Sequence, residues 1–376
     1  FGDRLFDFCK STFFHCVSIM LLLLVLFALL AASLSVDAFH RISFVTGASG
    51  YLGREIVHEL LRTNNNEDQK IICLVRSGRV QEETNYWKEY DNSDCIIDIC
   101  PYDMLDDGSS LDAALCDALR SNDNDDSFAT FYHVASVFRP TDNHTQTALD
   151  NVVGTENVIR SLAKHKNKLK LVVTSSMAAV RATDQEPQHG PTYCHLDWNT
   201  LSELGKNWGN SYQWSKMESE RRAWELCKEY NLPMTSLCPS FVFGPPSSPS
   251  GSSSYSISLV KKWIHGESEV QSRLCVDVRD VAKAHVIAGQ SSSITDGERI
   301  IVSIERRLTS QATAEVLKKF SPTPDKITYD STFTGGAFPI GEREVDCEQR
   351  LQELLGITLT PPEKTFADMG EMLQNS

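Results

Sequence analysis

A strand that empties through glycines straight into a helix constrains this chain more than any other feature. Ile42-Ser43-Phe44-Val45-Thr46 reads as a buried strand, and Gly47-Ala48-Ser49-Gly50-Tyr51-Leu52-Gly53 follows without a spacer. From Tyr51 to Arg62 the pattern becomes helical, with Ile56, Leu60 and Leu61 on one face. A chain that must turn this sharply favours glycine. Backbone can then approach a pyrophosphate with no Cβ in the way, and the helix N-terminus offers unpaired N–H groups and a partial positive charge. Gly47, Ser49, Gly50, Tyr51, Leu52 and Gly53 are therefore the expected phosphate-binding turn of a dinucleotide site. G-x-x-G-x-x-G alone is a weak signal; its place between a strand and a helix gives it weight.

The alternation continues downstream. Strand patterns over Lys70 to Val75, Cys95 to Ile99, Phe128 to Val134, Leu169 to Thr174 and Met234 to Cys238 are interleaved with helical ones over Leu111 to Leu119, Thr147 to Lys164 and Tyr212 to Tyr230. Such an order predicts an α/β fold: a Rossmann-type doubly wound parallel sheet covered on both faces, with a smaller C-terminal substrate lobe. The expected division is a leader over 1–38, a dinucleotide-binding domain over 39–245 to which 275–300 returns, and a substrate lobe over 246–274 and 301–376. Loops are marked at Asn64 to Asp68, Ser121 to Ser127 and Pro245 to Ser256; the last is a lid or a plain linker.

The leader stands apart from the rest. Val17 to Val36 is 20 residues without a charge, behind Arg4 and Lys10, and Val36-Asp37-Ala38 offers short residues for a cleavage site. It reads as a secretory signal peptide or an uncleaved anchor, which points to the endoplasmic reticulum, the secretory pathway or a membrane-anchored protein. The whole chain carries a net charge of −14, so a phosphate backbone is a poor partner and nucleic acid is excluded as the main ligand. The 11 cysteines make no C-x-x-C pair, several lie in apolar runs, and no metal motif is present.

Nucleotide choice is read after the second strand, where an acid would bond the ribose 2′-hydroxyl of NAD and a base would accept a 2′-phosphate. Here Leu74-Val75 is followed by Arg76 and Ser77. The guanidinium fork suits phosphate, so NADP(H) is preferred and NAD(H) stays open. Tyr212 and Lys216 stand four apart, on one helix face, so the phenol and the ammonium can converge. A nearby cation is expected to lower the phenol pKa towards working pH, which suits proton transfer to a carbonyl oxygen. Ser176 ends the fifth strand, on the side where open α/β sheets bind ligands, and can hydrogen-bond that oxygen.

Eight segments taken in order carry a resemblance. They are Thr46 to Gly53; Val75-Arg76; Phe131-Tyr132-His133-Val134-Ala135-Ser136; Asn151-Val152-Val153-Gly154-Thr155; Thr174-Ser175-Ser176; Tyr212 with Lys216; Pro239 to Pro245; and Val276 to His285. From about residue 41 onward the chain resembles the extended short-chain dehydrogenase/reductase superfamily, and within it the dihydroflavonol 4-reductase, cinnamoyl-CoA reductase and 3β-hydroxysteroid dehydrogenase group. The resemblance implies that Tyr212 is the general acid/base, that Lys216 bonds the nicotinamide ribose, and that Ser176, rather than Ser175, orients the carbonyl. It also implies that Asp103 and Met104 contact adenine, and that Val134, Ala135, Ser136 and Thr174 line the cofactor. Pro239, Phe241 and Val242 would pass the nicotinamide. Asn151 matches an active-site asparagine of the superfamily, or else a helix-start cap. Asp346 to Met369 resembles the superfamily's last helix.

One departure stands out. Cinnamoyl-CoA reductases carry a compact K-N-W-Y, whereas here Gly209-Asn210-Ser211 separates Lys206-Asn207-Trp208 from Tyr212. The resulting expectation is an NADP(H)-dependent oxidoreductase that interconverts a ketone or aldehyde and an alcohol on a small hydrophobic substrate. A nucleotide-sugar epimerase or dehydratase with bound NAD, and a non-catalytic NADP-binding sensor or scaffold, are the alternatives. A homodimer is left open.

Overall fold

Period-two alternation along each strand sends neighbouring side chains to opposite faces of one sheet. The computed structural model describes residues 41–63, 69–90, 95–120, 129–138, 140–165, 169–247, 254–291, 295–332 and 338–374. Its strands are β1 (Arg41–Thr46), β2 (Gln69–Val75), β3 (Cys95–Pro101), β4 (Ala129–His133), β5 (Leu169–Thr174), β6 (Met234–Pro239), β7 (Phe241–Phe243), β8 (Cys275–Asp277) and β9 (Arg299–Val302). Seven make one parallel sheet in the order β3-β2-β1-β4-β5-β6-β9, while β7 and β8 pair in parallel as a second. The order reverses between β1 and β4, the place where doubly wound sheets open a ligand crevice.

The helices are α1 (Tyr51–Arg62), α2 (Val80–Trp87), α3 (Ser109–Arg120), α4 (His144–Ala163), α5 (Met177–Val180), α6 (Trp208–Tyr230), α7 (Tyr255–Ile264), α8 (Val278–Gln290), α9 (Ser310–Lys318), α10 (Glu348–Leu355) and α11 (Pro362–Gln374). On one face of the sheet Phe44, Ile72, Phe131 and Leu171 pack with Leu115 of α3, Val158 and Leu162 of α4, and Leu226 of α6. On the other, Val45, Cys73, Tyr132 and Val172 meet Ile56 and Leu60 of α1 and Val281 and Ala284 of α8. A fully buried Leu, Ile or Phe contributes about 1.5–3 kcal/mol, so these two layers hold the sheet.

Sequence and structure differ in places. The C-terminal stretch expected as one helix is two, because Gly356 ends α10 in the left-handed region (φ 63°) and Pro361-Pro362 starts α11 afresh. The last strand of the large sheet runs to Val302, two residues past the expected return to the dinucleotide domain. α6 starts four residues before Tyr212, capped by the Asn207 side chain, which accepts the Asn210 N–H. The leader and the loops at 64–68 and 121–127 lie outside the described residues, as does 248–253 of the lid-or-linker segment. Among the described residues no helix is long and apolar enough to cross a membrane. The nine described cysteines are free thiols, six of them buried like the apolar residues around them.

Candidate active site

The crevice is built where β1 and β4 end side by side. The Thr46 hydroxyl accepts the N–H groups of Val134 (2.9 Å) and Ala135 (3.0 Å), tying the β4 exit to the glycine turn. Asn151 braces the same loop. Its carbonyl accepts the Val137 N–H (2.8 Å) and its amide donates to the Val137 carbonyl (3.2 Å). It lies inside α4, so it is no helix cap, and both ends of its amide are committed to backbone. In the structure its side chain holds the loop that follows β4. Buried His133 sits beneath, with Thr155 donating to the Asn151 carbonyl and so accepting from His133 Nε2. Burial, helped by the charge of Lys216, lowers the His133 pKa to about 3, and the ring is neutral.

The glycine turn fits a pyrophosphate. Gly47 has φ +66°, and a Cβ there would lie 3.2 Å from the Ala135 Cα. A Cβ on Gly53 would lie 2.2 Å from the Gly47 carbonyl oxygen. The first turn of α1 has no capping side chain and no acid, which leaves its N–H groups to an anion. Ser49, Tyr51 and Leu52 are half-buried around it, and Tyr51 donates to the Gly244 carbonyl at 2.6 Å. Arg76 and Ser77 are exposed just past β2, with no acid paired to Arg76 among the described residues. Beyond β3, Asp103 closes a turn by accepting the Leu105 N–H (3.0 Å), and Met104 fills the space above Gly154. Val134, Ala135 and Ser136 follow β4, and the buried Ser136 hydroxyl has no hydrogen-bond partner among the described residues. Pro239 ends β6, and Phe241 and Val242 start β7 on the same side.

Ser176, Tyr212 and Lys216 converge at the C-terminal end of β5. Ser176 caps α5, its hydroxyl accepting the Ala178 N–H at 3.1 Å, and it lies beside the Tyr212 phenol. Burial pushes that phenol up to about 12, with the neighbouring Ser176 hydroxyl opposing. The expected lowering by Lys216 is thus overturned: desolvation disfavours the phenolate more than its neighbours favour it. Lys216 donates instead to the Thr174 carbonyl (2.9 Å), and burial lowers its pKa to about 8 against the upward pull of Glu220. Thr174 in turn donates to His285 Nε2 (2.7 Å), because His285 Nδ1–H is bound to the Val281 carbonyl.

Below this row lies a buried ion pair. Arg299 binds Glu220 through two nitrogens, at 2.8 and 3.0 Å, and Glu220 also accepts the hydroxyls of Ser175 (2.7 Å) and Ser236 (2.6 Å). The Ser175 hydroxyl is therefore spent inside, and Ser176 is the serine left facing Tyr212. Aromatic rings wall the opening. Phe138 lies 4.6 Å from Tyr212, Trp208 stacks on Tyr212 at 6.2 Å, and Tyr255 and Phe241 pack against Phe138 at 5.5 and 6.4 Å. The three residues inserted before Tyr212 put Trp208 one helical turn away, on the same face.

Known proteins agree with this arrangement. The NAD-binding family model described as male sterility protein matches residues 45–275. The chain belongs to the extended short-chain dehydrogenase/reductase superfamily. It is 30% identical to the NADPH-dependent methylglyoxal reductase GRE2 of Saccharomyces cerevisiae, over 74% of this chain and 82% of that protein. It is 31% identical to cinnamoyl-CoA reductase 1 of Arabidopsis thaliana, over 74% of each. The solved structure of Gre2 from Candida albicans in complex with NADPH overlays 89% of this chain and 99% of that one, with a TM-score of 0.73 and 25% identity.

Within this superfamily member, sequence reasoning missed the parts played by Thr46, His133, Glu220, His285 and Arg299, and by Phe138, Trp208 and Tyr255 in the aromatic wall. One signal was present for Glu220. It follows Lys216 by four residues, on the same face of a helix whose neighbours there are buried.

Proposed function

We propose that the chain is an NADPH-dependent reductase of small hydrophobic aldehydes and ketones, in the manner of the dihydroflavonol reductases or the 3β-hydroxysteroid dehydrogenases. The observation that carries this reading is the Ser176–Tyr212 contact, with Lys216 one turn further along α6, at the crevice end of β5. Gly47, Gly50, Gly53 and the open first turn of α1 would hold the pyrophosphate, Arg76 and Ser77 the 2′-phosphate, and Lys216 the nicotinamide ribose. NADPH, when bound, supplies the hydride. Tyr212, proton-loaded across the neutral range, donates to the carbonyl oxygen, and Ser176 fixes that oxygen beside it. The rings of Phe138, Trp208, Phe241 and Tyr255 exclude water and favour an apolar substrate. The test is a panel of aldehydes, dihydroflavonols and ketosteroids with NADPH loss followed by absorbance; loss with none of them would remove the reading.

Two results are expected at once. Arg76→Ala should raise KM for NADPH about 10–100-fold, the size of one charge-assisted contact, and leave that for NADH nearly unchanged. An unaltered preference would take Arg76 out of the site. The second concerns pH. Lys216 is charged below about 8 and neutral above it, so reduction should hold on the acid side and fall as pH rises through that value. A rate that climbs through this range would contradict the need for the ammonium.

A further inference from the structure

Arg181 is half-buried, its Nε is sealed from solvent, and its guanidinium makes no hydrogen bond or ion pair among the described residues. A cation withdrawn from water without a counter-ion is disfavoured, and such groups persist where a ligand uses them. Its place in the fold says which ligand. The segment that carries it lies along the start of α6: Ser176 sits beside Tyr212, and the Thr183 hydroxyl accepts from Gln213 at 3.1 Å. Arg181 lies on the stretch between these two points, five residues past Ser176, with its guanidinium 5.4 Å from the centre of the Tyr193 ring.

Two further guanidiniums lie in the same region. Arg307 is paired with Glu344, whose backbone carbonyl accepts the Tyr193 N–H at 2.8 Å. Arg273 lies 5.7 Å over the Phe241 ring, which belongs to the wall around Tyr212. Burial lowers the pKa of both Arg181 and Arg273, and Arg307 adds repulsion to each. The acids facing Arg181 are Glu344, held by Arg307 through one oxygen, and exposed Asp184, with Glu186 beside the Tyr193 ring. Of these three guanidiniums, Arg307 has its carboxylate in Glu344, and Arg181 has no paired carboxylate among the described residues.

We infer that Arg181 is an anion-binding residue of the substrate site, and that the preferred carbonyl substrate carries a carboxylate at the end remote from the reacting carbon. This rests on the reductase reading above. A single free fork matches a carboxylate through two parallel N–H bonds, and the aromatic wall takes the apolar body between.

The test separates the two claims. Calorimetry on the full chain with NADPH compares 4-methylbenzoate with its methyl ester, neither of which can be reduced. The acid should bind at least tenfold more tightly, Arg181→Met should erase the preference, and Arg181→Lys should restore part of it. Unchanged NADPH binding reports that each variant is folded. Equal binding of acid and ester, or a preference that survives Arg181→Met, overturns the anion site. Turnover is then measured with 4-formylbenzoate and its methyl ester. If the acid binds selectively but neither aldehyde oxidises NADPH, the reductase reading fails and the anion site stands.

Discussion

Replacing Tyr212 by phenylalanine should lower kcat/KM for carbonyl reduction by about 10²–10⁴-fold while NADPH binding stays nearly intact. That corresponds to about 3–5 kcal/mol of transition-state stabilisation. The effect is large because, among the described residues at the end of β5, the phenol both holds a proton at neutral pH and lies beside Ser176. Burial pushes its pKa up to about 12, so in the proposed reaction it would enter as a donor. The variant keeps its ring, and with it the packing on Phe138 and Trp208, so the fold and the cofactor turn are left as they are. Initial rates at saturating NADPH, with cofactor affinity measured separately, decide the matter. A variant with rates near the parent's would move the proton donor to solvent and leave Tyr212 as a wall residue. Ser176→Ala should have a smaller effect, since it removes an orienting bond and leaves the proton in place.

The fold was legible because its signals are local and repeated. β1, α1, β5 and β6 follow directly from β-branched runs, glycine placement and helical periodicity, and Ser176, Tyr212 and Lys216 from strand-end position and i, i+4 spacing. What could not be read depends on contacts between distant segments. β7 and β8 are three residues each and exist only because they pair with one another. Asn151 looks identical as a cap, a ligand or a brace until the Val137 backbone is placed against it. The sign of the Tyr212 shift was missed for a related reason. Spacing shows that a cation is near, while burial comes from Trp208, Phe138 and Tyr255, which spacing does not reveal. Arg299 lies 79 residues from Glu220, and no local pattern connects them.

That last pair sets the second large expectation. Arg299→Met should destabilise the fold by about 3–5 kcal/mol, the effect of leaving a buried charge without its partner. Both side chains are enclosed, at 7% and 0% exposure, so solvent cannot replace the lost bonds. Burial pushes the Glu220 carboxyl up, but Arg299 and the hydroxyls of Ser236 and Ser175 outweigh it and hold the group below its ordinary value. Without Arg299 that balance reverses, and Glu220 must bury a charge or take up a proton. Pairing Arg299→Met with Glu220→Leu should destabilise by clearly less than the sum of the two single changes, since the double variant buries no charge. Denaturant midpoints of the four proteins measure this, and strict additivity would mean that the pair is not coupled. The site is affected as well. Glu220 raises the pKa of Lys216 and holds Ser175, the residue next to Ser176. Glu220→Gln should therefore move the alkaline fall in activity to lower pH, because Lys216 would lose its proton sooner. A purely structural pair would lower the folded fraction and leave the midpoint of that fall where it was, so the two measurements together distinguish a brace from an electrostatic partner of the lysine.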